Sequence, residues 1–133
     1  MNRVFVDTSA AYALLVASDA NHARAAAVFR QLEARGSQLL TTSYVLVETY
    51  ALLQSRVGLT AVTAFRNDVQ PLMQVSWVDE GLHARGLDRL LAREDPSLSL
   101  VDAVSFVLMR DEGLDEAFVY DRHFEQEGFA ILS

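Results

Sequence analysis

The chain of 133 residues contains no cysteine and no lysine. Without cysteine there are no disulfides, no thiolate metal ligands and no cysteine nucleophile. Without lysine there is no Schiff-base chemistry, no Walker-type phosphate lysine and no lysine general base. All permanent positive side-chain charge is therefore arginine, and a net charge of -7 opposes a broad basic footprint for nucleic acid. An acidic cluster that binds a divalent cation still presents positive charge locally. Only two prolines occur, Pro71 and Pro96, and both fall between predicted elements. No repeat or low-complexity segment is present. No apolar run approaches the roughly 20 residues needed to span a bilayer. The N-terminus enters a strand pattern directly, without a charged-then-apolar leader. These absences make a soluble, cytoplasmic protein without a membrane partner the expectation.

What is present is a globular composition, with 51% hydrophobic and 22% charged residues. The length suits one domain over residues 1–133. Apolar runs and 3.6-residue periodicities alternate along the chain. Strands are predicted over 3–7, at "QLLTT", at "MQVSWV", over 116–121 ("EAFVYD") and at "GFAIL". Helices are predicted over 9–16, 21–35 and 43–56, from Thr60 to Pro71, over 79–93 and over 99–112. Gly36, Gly58 and Gly113 stand where helices should end. Strands alternating with helices imply parallel strands joined by crossovers. Runs such as "VFV" and "AFVY" do not alternate with polar residues, as strands covered on both faces should not. The predicted class is α/β, a three-layer α/β/α sandwich on a mainly parallel sheet. In such sheets ligands sit beyond the carboxyl ends of the strands.

Four of the eighteen acids occupy unusual places. Asp7 ends the first predicted strand and Asp121 ends the fourth. Glu48 is the only charge of an otherwise apolar helix between Ser43 and Gln54. Asp102 is the only charge in its apolar stretch before Arg110. Each has a local alternative. Asp7 can cap the following helix, and Asp102 can form a capping box with Ser99. Asp121 can make an Asx turn. Glu48 can pair with an arginine from another element. If all four converge, their repulsion calls for a cation, and a hard divalent ion with oxygen ligands is the natural occupant.

The segments "VFVDTSA", "TTSYVLVETYALL", "LSLVDAVSFVLMRDEGL" and "AFVYDRHFEQEGF" together resemble the PIN domain, and within it the VapC-like toxins of toxin–antitoxin pairs. The likeness covers nearly the whole chain in the family's order. It implies a metal-dependent ribonuclease that hydrolyses RNA phosphodiester bonds with Mg²⁺ or Mn²⁺. It also implies Asp7, Glu48, Asp102 and Asp121 as the catalytic, metal-binding carboxylates, with Asp7 and Asp102 as direct ligands and Ser9 in support. Glu125 is a further acid near the fourth motif. Phe124 reads as a core anchor and His123 as a structural or surface residue. The expected partners are RNA, a cognate antitoxin whose tail reaches the acid pocket, and a second copy of the chain through the helices between Ala10 and Val57. Arg3, Arg24, Arg30, Arg35, Arg110 and Arg122 are the candidate phosphate contacts.

Rival readings are a housekeeping RNA-processing nuclease and a noncatalytic PIN-like scaffold. A phosphoacceptor receiver would need a lysine. A haloacid-dehalogenase-type phosphatase would need aspartate where Ser9 stands.

Overall fold

β1 (Arg3–Val6) is buried on both faces and forms the centre of the sheet. The computed structural model describes residues 2–133. After β1 the chain runs through α1 (Thr8–Leu15), α2 (His22–Ala34), β2 (Gln38–Thr42), α3 (Ser43–Arg56), α4 (Leu59–Ala64) and β3 (Met73–Ser76). It continues through α5 (Glu80–Arg93), α6 (Leu100–Glu112), β4 (Glu116–Phe118), α7 (Arg122–Gln126) and β5 (Ala130–Leu132). The five strands are all parallel in the order β3-β2-β1-β4-β5. Phe5 aligns with Leu40 on one side and Ala117 on the other. The winding direction reverses between β1 and β4, which opens a crevice at their carboxyl ends.

The non-alternating "VFV" run has a direct cause. Val4 and Val6 point into a core built with α1, α2, α3 and α4, among them Ala10, Ala25, Leu32, Leu53 and Phe65. Phe5 points the other way, into a core with α5, α6 and α7 that includes Leu82, Val104, Met109 and Phe124. Both faces of the sheet are covered, so all three residues of the run from Val4 to Val6 are apolar. Phe124 stacks on Phe5 at 6.0 Å between ring centroids and meets Phe106 edge-on at 4.9 Å. It is the expected core anchor, and its full burial stabilises the fold by roughly 1.5–3 kcal/mol. Where α5 crosses α6, a Cβ at Gly86 would lie 2.3 Å from Val104 Cγ2 and 3.0 Å from Val104 Cα. Only glycine allows that approach, which seats the helix carrying Asp102.

Two local expectations are revised. The helix from Leu59 does not stop cleanly at Pro71. It continues as a π-helical stretch (Phe65–Val69) and a 3₁₀ turn (Gln70–Leu72), with Pro71 in the first turn, where no backbone N–H is required. The fourth strand is shorter than 116–121, because the Tyr120 N–H donates to Ser9 Oγ at 2.9 Å instead of to a neighbouring strand. Asp121 then opens α7, a helix of 5 residues that is too short to show a periodicity in sequence. Among the described residues no helix is long and apolar enough to cross a membrane.

Candidate active site

The local sequence places each of the four acids at an element boundary or on the inner face of a helix. Asp7 follows β1, where its N–H donates to Phe118 O at 3.1 Å. It caps α1: Oδ2 accepts from Ser9 N at 3.4 Å and from Ser9 Oγ at 3.1 Å. The first of these bonds is long, so the cap is weak. The other oxygen, Oδ1, is buried and has no partner. Asp7 is therefore a cap through one oxygen and an unsatisfied buried acceptor through the other.

Glu48 is delivered by α3, which starts directly from β2 because Thr42 Oγ1 accepts from Val45 N at 3.1 Å. A buried hydroxyl chain locks α3 against α1. Thr49 Oγ1 donates to Val45 O at 2.7 Å, Thr8 Oγ1 donates to the same carbonyl at 3.4 Å, and the two hydroxyls lie 3.3 Å apart. Glu48 consequently faces Asp7 at the cleft, and among the described residues no arginine pairs with it.

Asp102 lies in the first turn of α6, where Ser99 Oγ accepts its backbone N–H at 3.1 Å. Half of the capping box is thus formed. The reciprocal bond from Ser99 N to the Asp102 carboxylate is absent among the described residues, and that carboxylate lines the cleft instead. Asp121 caps α7, with Oδ1 accepting from His123 N at 2.9 Å.

Asp7, Glu48, Asp102, Asp121 and Ser9 all line one cleft of about 420 Å³ at the carboxyl ends of β1 and β4. Ser9 binds both sides of it, donating to Asp7 and accepting from Tyr120 N. Glu125 does not join them. It lies on an adjoining groove.

Burial pushes the Asp7 carboxyl up to about 6, the charge of Glu48 adding to the effect and the Ser9 backbone N–H opposing it. Asp102 is driven higher, to about 8, by burial first and then by the charges of Asp7, Asp121 and Glu48. The cleft thus concentrates negative charge; Arg56 also lines it but lies over the Tyr12 ring and forms no ion pair with the four acids among the described residues.

His123 is the residue whose place the sequence did not reveal. It is buried, with Nδ1 2.6 Å from Asp121 Oδ1 and 3.8 Å from Asp102 Oδ2. The nearer contact is not aligned as a hydrogen bond. Its Nε2 lies 3.0 Å from Ser97 Oγ and 3.7 Å from Asp95 Oδ2. Asp102, Asp121 and His123 each offer a ligand atom within 4.8 Å of the others. The only signal in sequence was its position two residues after Asp121.

A divalent cation fits this donor set. The orphaned Asp7 Oδ1 needs a partner, the donors are mainly hard oxygens, and two carboxyls resist ionisation until positive charge arrives.

The model of the PIN domain family matches residues 4–129. This chain belongs to the PIN domain family. It is 34% identical over 127 residues to the 23S rRNA-specific endonuclease VapC20 from two strains of Mycobacterium tuberculosis, covering 95% of each chain. A crystal structure of the Mycobacterium tuberculosis VapC20, a sarcin–ricin loop cleaving toxin, superposes with a TM-score of 0.83 at 32% identity, over 96% of both chains. The structure of FitAcB from Neisseria gonorrhoeae shares the fold alone, with a TM-score of 0.69 at 13% identity, covering 98% of this chain and 96% of that one. Its likeness to VapC20 groups this PIN domain with the VapC-like members of the family, and the all-parallel sheet with helices on both faces is theirs.

Proposed function

We propose that this PIN domain is an endoribonuclease and the toxin of a VapBC-type pair. It hydrolyses RNA phosphodiester bonds at the cleft formed by Asp7, Glu48, Asp102 and Asp121, with Mg²⁺ or Mn²⁺ as cofactor. One observation carries the reading: four carboxylates, two of them buried with raised pKa values, converge in one cleft where, among the described residues, no arginine forms an ion pair with them; Arg56 lines the cleft but lies over the Tyr12 ring.

Asp7 and Asp102 are the direct ligands, because they are the most buried and carry the strongest repulsion. Glu48 and Asp121, half-buried at the rim, complete the set directly or through water. A bound divalent cation supplies Lewis-acid chemistry there, offsetting phosphate charge and lowering the pKa of water. Ser9 holds Asp7 in position through Oδ2 and leaves Oδ1 free for ligation. In the metal-free protein burial and the neighbouring acids hold the Asp102 carboxyl well above the usual carboxylate range, so it gives up its proton less readily than an exposed aspartate. The backbone N–H of His123 orients Asp121, and the His123 ring reaches the Asp95–Ser97 turn. No covalent intermediate is needed, in keeping with a chain that lacks cysteine and lysine.

Ribosomal RNA is the first substrate to try, because VapC20 is an rRNA-specific endonuclease. A cognate antitoxin is the protein partner on this reading. A guanidinium inserted into the cleft would satisfy the same carboxylates that bind the cation.

The test incubates purified protein with ribosomal RNA, with Mn²⁺ or Mg²⁺ and then with excess chelator. Cleavage should require the ion and vanish in Asp7→Asn. Cleavage that survives the chelator or the substitution sinks the metal-dependent reading. Absence of cleavage together with absence of Mn²⁺ binding by calorimetry would leave a noncatalytic scaffold.

A further inference from the structure

The eleven arginines are far from equivalent once folded. Arg3 pairs with Glu112, Arg35 with Glu116, Arg85 with Asp111, and both Arg89 and Arg93 with Glu127. Arg110 donates to the Glu127 carbonyl at 2.6 Å and lies over Phe129. Arg66 bonds Asn67. Among the described residues, Arg24, Arg30, Arg56, Arg66, Arg110 and Arg122 have no carboxylate partner.

Arg24 and Arg122 come together on a second groove of about 440 Å³. It adjoins the acid cleft, and Asn21 and Asp121 line both. Arg24 is held in place from two sides. It donates to Asn21 Oδ1, and its guanidinium lies 5.6 Å from the centroid of the Tyr120 ring. Tyr120 lines the same groove, and its hydroxyl is buried without a partner. Glu125 also lines the groove but forms no ion pair with either arginine among the described residues.

We propose that this second groove is a phosphate-binding subsite for the RNA strand that continues past the scissile bond, with Arg24 and Arg122 as its contacts. The inference rests on the ribonuclease reading and extends it. An acidic cleft repels a polyanion on both sides of the bond it cuts. A substrate strand therefore needs positive charge next to the cleft, and Asp121 marks the boundary where acid gives way to arginine. A fork of donors already oriented by Asn21 and Tyr120 loses little freedom when it binds a phosphate. The contact is to the backbone, so it positions the strand without reading bases.

The test uses a fluorescent RNA hairpin carrying a sarcin–ricin loop and an unrelated single-stranded RNA of equal length. Binding is followed by anisotropy in Mg²⁺, in an Asp7→Asn background that does not cleave. Arg24→Gln with Arg122→Gln should weaken both RNAs by about tenfold or more. It should also lower the slope of log affinity against log salt by about 1.4, or 0.7 for each lost phosphate contact on a single strand. In the cleaving protein the same pair should raise KM more than it lowers kcat. Arg24→Lys with Arg122→Lys should restore the salt slope. Arg66→Gln with Arg85→Gln removes as much charge at sites that line neither groove and should leave binding and cleavage unchanged. If the Arg24/Arg122 variant binds like its parent, or the Arg66/Arg85 control loses as much, the subsite assignment falls and the ribonuclease reading stands. If the native chain neither binds nor cleaves any RNA, both fall together.

Discussion

This protein buries carboxylates in two places and treats them in opposite ways. Glu127, at the end of α7, has a side chain only 2% exposed, and Arg89 and Arg93 from successive turns of α5 each take one of its oxygens. Arg110 holds its carbonyl. Asp7 and Asp102, at the crevice between β1 and β4, are buried among other acids and have no cation. The first arrangement is a clamp: the charge is compensated by the chain itself and ties α5 to α7. The second has hydrogen bonds from Ser9 but, among the described residues, no ion pair, so it weakens the fold unless something positive binds. A buried acid that carries its own partner serves structure, and one without a partner serves a ligand.

The strongest way to break this contrast is to neutralise one acid in each place. Asp102→Asn should lower RNA cleavage by at least about 10²-fold, the scale on which losing one group that stabilises transition-state charge registers. The same change should raise the metal-free melting temperature, because it removes a repelled carboxylate. Glu127→Gln should do the reverse. Cleavage persists, while the folded state loses about 1–3 kcal/mol in chemical denaturation, because two arginines are left without their counter-charge. A destabilised Asp102→Asn protein, or a Glu127→Gln protein as stable as the native one, would erase the distinction.

The pH dependence sharpens it further. Folding raises Asp7 from 3.8 to about 6 and Asp102 from 3.8 to about 8. Between pH 4 and 8, roughly, the folded protein holds protons that the unfolded chain has released. The stability contributed by these groups is therefore present at low pH and lost as pH rises through that window. In chelator, the gap in melting temperature between Asp102→Asn and the native chain should widen from pH 5 to pH 8. Mn²⁺ should stabilise the native chain most at pH 8. A gap that stays constant across this range counts against the repulsion. The smallest effect concerns support of the cleft: Ser9→Ala should weaken Mn²⁺ binding by about tenfold, the lower end for loss of a group that orients a ligand. Calorimetry reads it directly.

Much of this was legible along the chain. The order of strands and helices followed from apolar runs and 3.6-residue spacing, and Gly113 ends α6 at φ 66 as expected of a left-handed C-cap. All four acids were visible because each interrupts an apolar context or follows a strand. The early end of β4 was not visible, since it depends on Ser9, 111 residues away, taking the Tyr120 N–H. The role of His123 was hidden for a related reason. Its contacts run to Asp95, Ser97 and Asp102, which lie far from it in sequence. The arginines could not be ranked either, because a guanidinium is free or paired only according to what folds beside it.

The sequence by itself determined which layers form and which acids have no place in them. Hydrophobic periodicity decides what must be buried, and a lone carboxylate in an apolar helix violates that rule wherever the helix goes. Only the tertiary structure decided that the four exceptions meet at one crevice, that Glu127 is neutralised and they are not, and that Arg24 and Arg122 border them. Those outcomes depend on distances between segments up to about a hundred residues apart, and electrostatic energy follows distance in space rather than along the chain.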